Sequence, residues 1–257
     1  VDRYNNPSSI DRVQETFRSL VLTGWNPIKR ASSIVELVRN GWRINFELGR
    51  QNIELMSPPY HSDNLLPLVH GHLDELYSAM RRFDLFPQFE PILKTDEDLL
   101  VIPDERDKVW LDLDGRPALN LLARCASVQF TLAVSVDRVI PTINRLNRHL
   151  EDFLRNYPQD YVWRQYISES KAKYQVDRYG GPRYFDSLYH YCQELARHKV
   201  VVGTRLKPLA EMDIRDIDIP LFLRSIWWHF RLKRYVDTLC VEVRPIARRS
   251  DIQLEDE

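Results

Sequence analysis

Apolar residues first recur at helical spacing, with Ile10, Val13, Phe17, Leu20 and Val21 following Ser8 and Ser9, a usable N-cap. A second helix is predicted over 33–40, because Ser33 and Glu36 have capping-box spacing and Asn40-Gly41 supplies a stop. The period then changes to two. Trp42, Ile44, Phe46 and Leu48 alternate with Arg43, Asn45 and Glu47, and after Gly49-Arg50 the residues Ile53 and Leu55 oppose Asn52, Glu54 and Met56. A two-residue loop at Gly49-Arg50 would set 47 opposite 52 and 45 opposite 54, so that Glu47, Asn45, Asn52 and Glu54 share one polar face. Ser57-Pro58-Pro59 closes that strand, since neither proline can donate a ladder hydrogen bond.

A long amphipathic helix follows over 64–83, on Leu65, Leu68, Leu73, Leu76, Tyr77 and Met80. Phe86–Leu93 reads as an edge strand carrying Pro87 and Pro91, 94–107 as a loop and 117–123 as a short helix. Val128, Phe130, Leu132 and Val134 mark a further strand whose other side holds Ser127, Gln129, Thr131 and Ala133. Asp137 can cap a helix reaching about Leu154, with Pro141 tolerated in its first turn. Segment 157–173 is aromatic and charged with no clean period. Beyond Gly180-Gly181-Pro182, a helix is expected on Phe185, Leu188, Tyr189, Cys192 and Leu195. The acidic stretch 211–218 reads as a loop. The chain then ends on two strands. One sets Ile226, Trp228, Phe230 and Leu232 against Trp227, His229, Arg231 and Lys233; the other sets Leu239, Val241 and Val243 against Thr238, Cys240, Glu242 and Arg244.

This order favours an α+β fold with an antiparallel sheet over a doubly wound parallel one. At 257 residues, a single domain is expected: a helical lead-in over 1–41, the sheet with its covering helices over 42–244, and a C-terminal tail over 245–257. Lys+Arg 36 against Asp+Glu 37 leaves a net charge of −1, so no global field draws the chain to nucleic acid or anionic lipid, and any anion must be held locally. No apolar run reaches the ~20 residues that span a bilayer. Cys125, Cys192 and Cys240 are scattered, odd in number and without metal-site spacing, which suits a reducing compartment and makes the cytoplasm the expected location. Each cysteine reads as a small buried hydrophobe rather than a nucleophile.

Candidate chemistry collects on the polar sides of the strands: Glu47 and Glu54, Gln129, His229 with Arg231, and Glu242 with Arg244. One curved sheet would gather them into a common cleft. Carboxylates there suit Mg²⁺, and arginines suit phosphate or carboxylate oxygens. The plain alternative is exposed faces with surface ion pairs, and a packed, hydrogen-bonded histidine for His229. No Walker A, dinucleotide, HExxH or nucleophile-elbow pattern points to other chemistry.

Three blocks then carry a resemblance: Phe46-Glu47 with Asn52-Ile53-Glu54-Leu55-Met56-Ser57-Pro58-Pro59; Arg124-Cys125-Ala126-Ser127-Val128-Gln129-Phe130; and Phe230-Arg231-Leu232-Lys233-Arg234-Tyr235 with Val241-Glu242-Val243-Arg244. In this order the chain resembles the glutamate–cysteine ligase superfamily, in its plant and proteobacterial form, with other carboxylate–amine ligases more distant. The resemblance implies a glutamine synthetase/glutamate–cysteine ligase-like fold, an antiparallel, funnel-like sheet covered by helices. It implies ATP-dependent joining of a γ-carboxylate to an amine through an acyl phosphate, with ATP and Mg²⁺, as in glutathione biosynthesis. By that likeness Glu54 and Glu242 would bind metal, and Glu47 and Gln129 the substrate, with His229 a further substrate-binding candidate from its place on the polar strand face. Arg231 and Arg244 would take catalytic and phosphate-binding roles. The expected partner is an amino acid or other small carboxylate, with a homo-oligomer or a complementing chain left open.

The family also carries an ExE carboxylate strand, which has no counterpart in 1–25, and an Asn-Ser-Pro region not recognisable in 156–173. The expectation is therefore that this chain alone ligates little. Three classes stay in view: a ligase, a noncatalytic homologue that binds nucleotide or amino acid, and a structural α+β protein.

Overall fold

A computed structural model describes residues 1–100 and 105–247. The expected tail from 248 onward, and 101–104 of the expected loop, lie outside the described residues. The fold is α+β with antiparallel sheets, as the patterning implies. The chain divides into two compact units, one built on Val1–Lys108 and one on Val109–Arg248, each with its own hydrophobic core. The expectation of one sheet is corrected accordingly. Glu54 belongs to a four-stranded sheet of the first unit, with Glu47 just past the end of one of its strands, and Gln129, Arg231 and Glu242 belong to a three-stranded sheet of the second.

In the first unit, helix α1 (Ile10–Val21) starts at Ser9, whose side chain accepts from the Arg12 amide. Its buried face, Val13, Phe17 and Leu20, packs against an antiparallel sheet of β1 (Asn26–Arg30), β2 (Ser33–Arg39), β3 (Trp42–Phe46) and β4 (Ile53–Met56). Gln14 joins the two layers through a pair of buried bonds, donating to the Ile34 carbonyl and accepting from the Ile34 amide, each 2.9 Å.

The helix predicted over 33–40 is strand β2. Asn40 and Gly41 both have positive φ, 50° and 84°, and Arg39 pairs with Trp42, so the dipeptide is the two-residue turn of a β-hairpin and not a helix stop. A side chain at Gly41 would also meet Pro58 at 3.2 Å. The β3–β4 register is as predicted, with Asn45 opposite Glu54 and the Glu47 amide donating to the Asn52 carbonyl, and β4 stops before Ser57-Pro58-Pro59. Helix α2 (Ser62–Arg81) adds Leu76, Ala79 and Met80 to the same core. Phe86–Leu93 forms no strand beyond an isolated bridge at Ile92, as its two prolines remove ladder donors.

Helix α3 (Glu105–Asp114) spans the boundary in sequence, and α4 (Arg116–Leu122) lies where a short helix is expected. In the second unit, β5 (Ser127–Ala133), β10 (Phe230–Tyr235) and β11 (Thr238–Ala247) form an antiparallel sheet in the order β10-β11-β5. Phe230, Val241 and Val243 point into a core filled by Ile140 and Ile143 of α5 (Val139–Arg148) and Leu150 of α6 (Leu150–Arg155). These two helices replace the single one expected to run to Leu154, the break falling at His149.

The aromatic segment left unplaced by its pattern is largely α7 (Gln159–Glu169). Between it and the last strands come β6 (Tyr179–Gly180), α8 (Leu188–Ala196), the hairpin of β7 (Val200–Val202) and β8 (Arg205–Lys207), α9 (Ile219–Arg224) and β9 (Trp227–Trp228). Helix α8 buries Tyr191, while Tyr189 and Cys192 are exposed, so Cys192 is not the buried hydrophobe expected. Trp227 and His229 are buried too, against the alternation predicted for 225–233, because β9 leaves the main sheet and pairs in parallel with β6. Among the described residues no helix is long and apolar enough to cross a membrane.

Candidate functional site

Strand alternation puts Phe230, Val241 and Val243 in the core and turns the other face of β10-β11-β5 outward. On that face Arg231 of β10, Glu242 of β11 and Thr131 of β5 stand side by side in register. Glu242, 1% exposed, is sealed by cations. Its Oε2 accepts from Arg231 Nε at 2.5 Å and Arg244 Nη1 at 3.0 Å, and its Oε1 from Lys233 Nζ at 2.9 Å. Arg231 also donates through Nη1 to the Leu223 carbonyl at 3.1 Å and the Ile226 carbonyl at 2.9 Å, which fixes its guanidinium on the segment leading into β9. Arg244 Nη1 lies 3.5 Å from Gln129 Oε1, and the Gln129 side of β5 is open to solvent.

Electrostatics follow from this packing. Burial opposes ionisation of Glu242, yet the charges of Arg244, Arg231 and Lys233 overcome it and hold the carboxyl well below the usual range. Burial lowers the pKa of Arg231, and its neighbour Arg244 pushes in the same direction. One carboxylate therefore faces three cationic side chains.

A second polar cluster adjoins the first through the backbone, where the Arg244 amide donates to the His229 carbonyl at 3.0 Å. Asp160 of α7 accepts from Arg164 Nε at 2.7 Å and Tyr179 Oη at 2.9 Å. His229 Nε2 lies 3.4 Å from Asp160 Oδ1 without the alignment of a hydrogen bond, and the ring meets Tyr179 edge-on at 5.0 Å. Burial opposes ionisation of Asp160, but contacts with His229, Arg164 and Tyr179 hold its pKa down at about 2. Burial also lowers the pKa of His229, keeping the ring neutral at physiological pH.

The structure thus brings together Gln129, Arg231, Glu242 and Arg244 of the expected site, with His229 at the junction between β9 and β10. Glu47 lies exposed beyond the end of β3, and Glu54 is half-buried opposite Asn45; both belong to the first unit. Lys233 was legible, being two residues from Arg231 on the same strand face. Asp160 and Tyr179 were not, because each is distant in sequence from His229 and Asp160 sits in the segment without a period. Burial raises the Cys125 thiol to about 12, which disfavours it as a nucleophile.

Mg²⁺ was expected on Glu242, and the residues present do not suit it. Mg²⁺ takes six oxygen ligands, whereas this carboxylate is already occupied by three cationic side chains that repel a metal. Among the described residues no group of three or more His, Cys, Asp or Glu is placed to hold a metal ion. Phosphate or carboxylate oxygens match the arginine and lysine donors of the cluster better. No protein-family model matches the chain, and no curated protein shows a significant match to it.

Proposed function

We propose that the polar face of β10-β11-β5 binds a small anion, the phosphate of ATP or the carboxylate of an amino acid, and that the chain is a relative of the carboxylate–amine ligases that binds without ligating on its own. The observation that carries this reading is Glu242, buried under Arg231, Lys233 and Arg244, which gathers three cationic side chains on one strand face. Arginine forks and a lysine suit phosphate and carboxylate oxygens. The resemblance of Phe230–Tyr235 and Val241–Arg244 to the ligases assigns the same strands to phosphate binding. Phosphoryl transfer to a carboxylate needs groups that neutralise charge on both sides of the transferred phosphoryl, and Arg231, Lys233 and Arg244 gather on a single sheet face around Glu242.

Isothermal titration of the purified chain with ATP, glutamate and uncharged adenosine tests the binding half. ATP or glutamate should bind, weakening as salt rises, and adenosine should not. Incubation with ATP, MgCl₂, glutamate and cysteine, followed by mass spectrometry for ADP and dipeptide, tests the other half. Amine-dependent dipeptide would establish a competent ligase, whereas no binding of any anion would leave the structural reading standing.

A further inference from the structure

We infer that the outer edge of β5 is a self-association surface, on which a second copy of this chain adds its own β5, antiparallel about a two-fold axis at Phe130. The sheet runs in the order β10-β11-β5, so β5 is bonded on one side, and among the described residues no backbone partner meets its other edge. An unpaired strand edge is a ready template for another strand, and proteins guard it with charge, proline, bulges or brevity. The other edges of the two larger sheets carry those guards. Strand β1 has Pro27, Lys29 and Arg30, with a bulge between Ile28 and Lys29. Strand β4 is four residues long and holds Glu54, and β10 bears Arg231, Lys233 and Arg234. Strand β5 has seven residues and neither a charge nor a proline. The irregularity in its ladder puts the extra residue in β11, between Val243 and Ile246, and leaves the outer edge of β5 regular.

Symmetry and charge make a second copy the occupant that fits. Antiparallel pairing about Phe130 sets Gln129 of one copy opposite Thr131 of the other, and Val128 opposite Leu132. Every side chain keeps its face, and an amide meets a hydroxyl. Leu132, which stands on the core-facing side of the strand and is still 45% exposed, gains an apolar neighbour. Because β5 is neutral, no like charges oppose each other across the join, whereas self-pairing at β10 would set its arginines and lysine against their own copies. Seven facing residues supply about six to eight backbone hydrogen bonds. The joined sheet is six-stranded and continuous, and a two-fold axis normal to it keeps both Glu242 clusters on one face.

The test is analytical ultracentrifugation of the full chain over about 1–300 µM. Wild type should show a concentration-dependent equilibrium between monomer and dimer. Thr131→Lys, at an exposed position of β5, should weaken dimerisation roughly tenfold with circular dichroism unchanged. Gln129→Glu combined with Thr131→Lys sets opposite charges across the two-fold axis twice, and should return the dimer to within about threefold of wild type. Wild type needs no substitution for a second readout: hydrogen exchange of the β5 amides should slow as concentration rises, and that of the β1 amides should not. A wild-type chain that stays monomeric at every concentration would overturn self-pairing, handing the edge to a strand of another protein and leaving the anion-binding reading untouched. A dimer that survives Thr131→Lys, or that leaves β5 exchange unchanged, would place the interface elsewhere and overturn it too. A folded double variant that does not recover the dimer would overturn the axis at Phe130.

Discussion

Replacing Glu242 with Gln removes one charge and keeps the side-chain volume, so it isolates the electrostatic work of that residue. The carboxylate is 1% exposed and accepts from three cations. Breaking a buried ion pair by deleting one partner typically costs about 3–5 kcal/mol, because the remaining charge is left uncompensated. Here the loss should fall near the lower end, about 3 kcal/mol, since Lys233 can turn to solvent and Arg231 keeps two carbonyl partners. Two compact units make a single unfolding free energy ill defined, so hydrogen exchange of the β11 amides is the better assay. A loss of about 3 kcal/mol should speed that exchange roughly a hundredfold, with amides of α1 unaffected. The pH dependence has a definite sign. The folded-state pKa of Glu242 lies below its unfolded value, so its contribution is present above the unfolded pKa and is lost as pH falls toward the folded one. The mutant should lack that acid-side loss. Exchange in Glu242→Gln within about threefold of wild type at pH 7 would refute the view that this carboxylate compensates the cations.

Three further outcomes follow from other parts of the chain. Gln14→Ala should destabilise the first unit by about 2–4 kcal/mol, leaving the Ile34 amide and carbonyl without their buried partner, read as faster exchange in α1 and β2. Val236, at φ 53° and 75% exposed in the β10–β11 turn, is a β-branched residue in the left-handed region; Val236→Gly should stabilise the second unit by about 1 kcal/mol by thermal melting. His198 is buried, and burial lowers its folded pKa from 6.5 to about 4. The unfolded chain therefore takes up a proton that the folded one refuses, and stability falls as pH drops from 6.5 toward about 4, a slope that His198→Gln should flatten in urea titrations across that range.

Legibility in the sequence followed the range of the interactions. Elements specified by neighbouring residues were readable: the Ser9 cap, the β3–β4 register from paired alternation, and the polar face of β10 and β11. Asn40-Gly41 shows where local signals conflict, since the same dipeptide that ends a helix also makes a hairpin turn, and the β-rich run Ile34, Val35, Leu37, Val38 decided the outcome. The one-sheet expectation failed because period-2 patterning tells which face of a strand is polar but not which strands pair. Glu54 and Glu242 carry the same alternation in different sheets. Asp160 was invisible for a related reason: α7 carries aromatics that pack on two sides, as Trp163 does against Tyr179 and Trp227, so no simple stripe marks the helix.

Burying charge is costly even when it is paired, and a well-packed apolar cluster often stabilises a sheet as well or better. Four ionisable groups at the centre of β10-β11-β5 are therefore poorly explained by stability alone, and less so when three of them carry the same sign. Balanced pairing would be the economical structural solution, and the adjacent Asp160 cluster comes close to it, with Arg164 and a neutral His229 around one carboxylate. The contrast between two neighbouring networks in one unit separates their roles. Asp160 ties α7 to β6 through Tyr179 and leaves no net charge, which suits a structural joint. Glu242 holds Arg231, Lys233 and Arg244 together on a face bordered by Gln129 and Thr131 of β5. On the proposed reading, that gathering of like charges is what an incoming anion would meet.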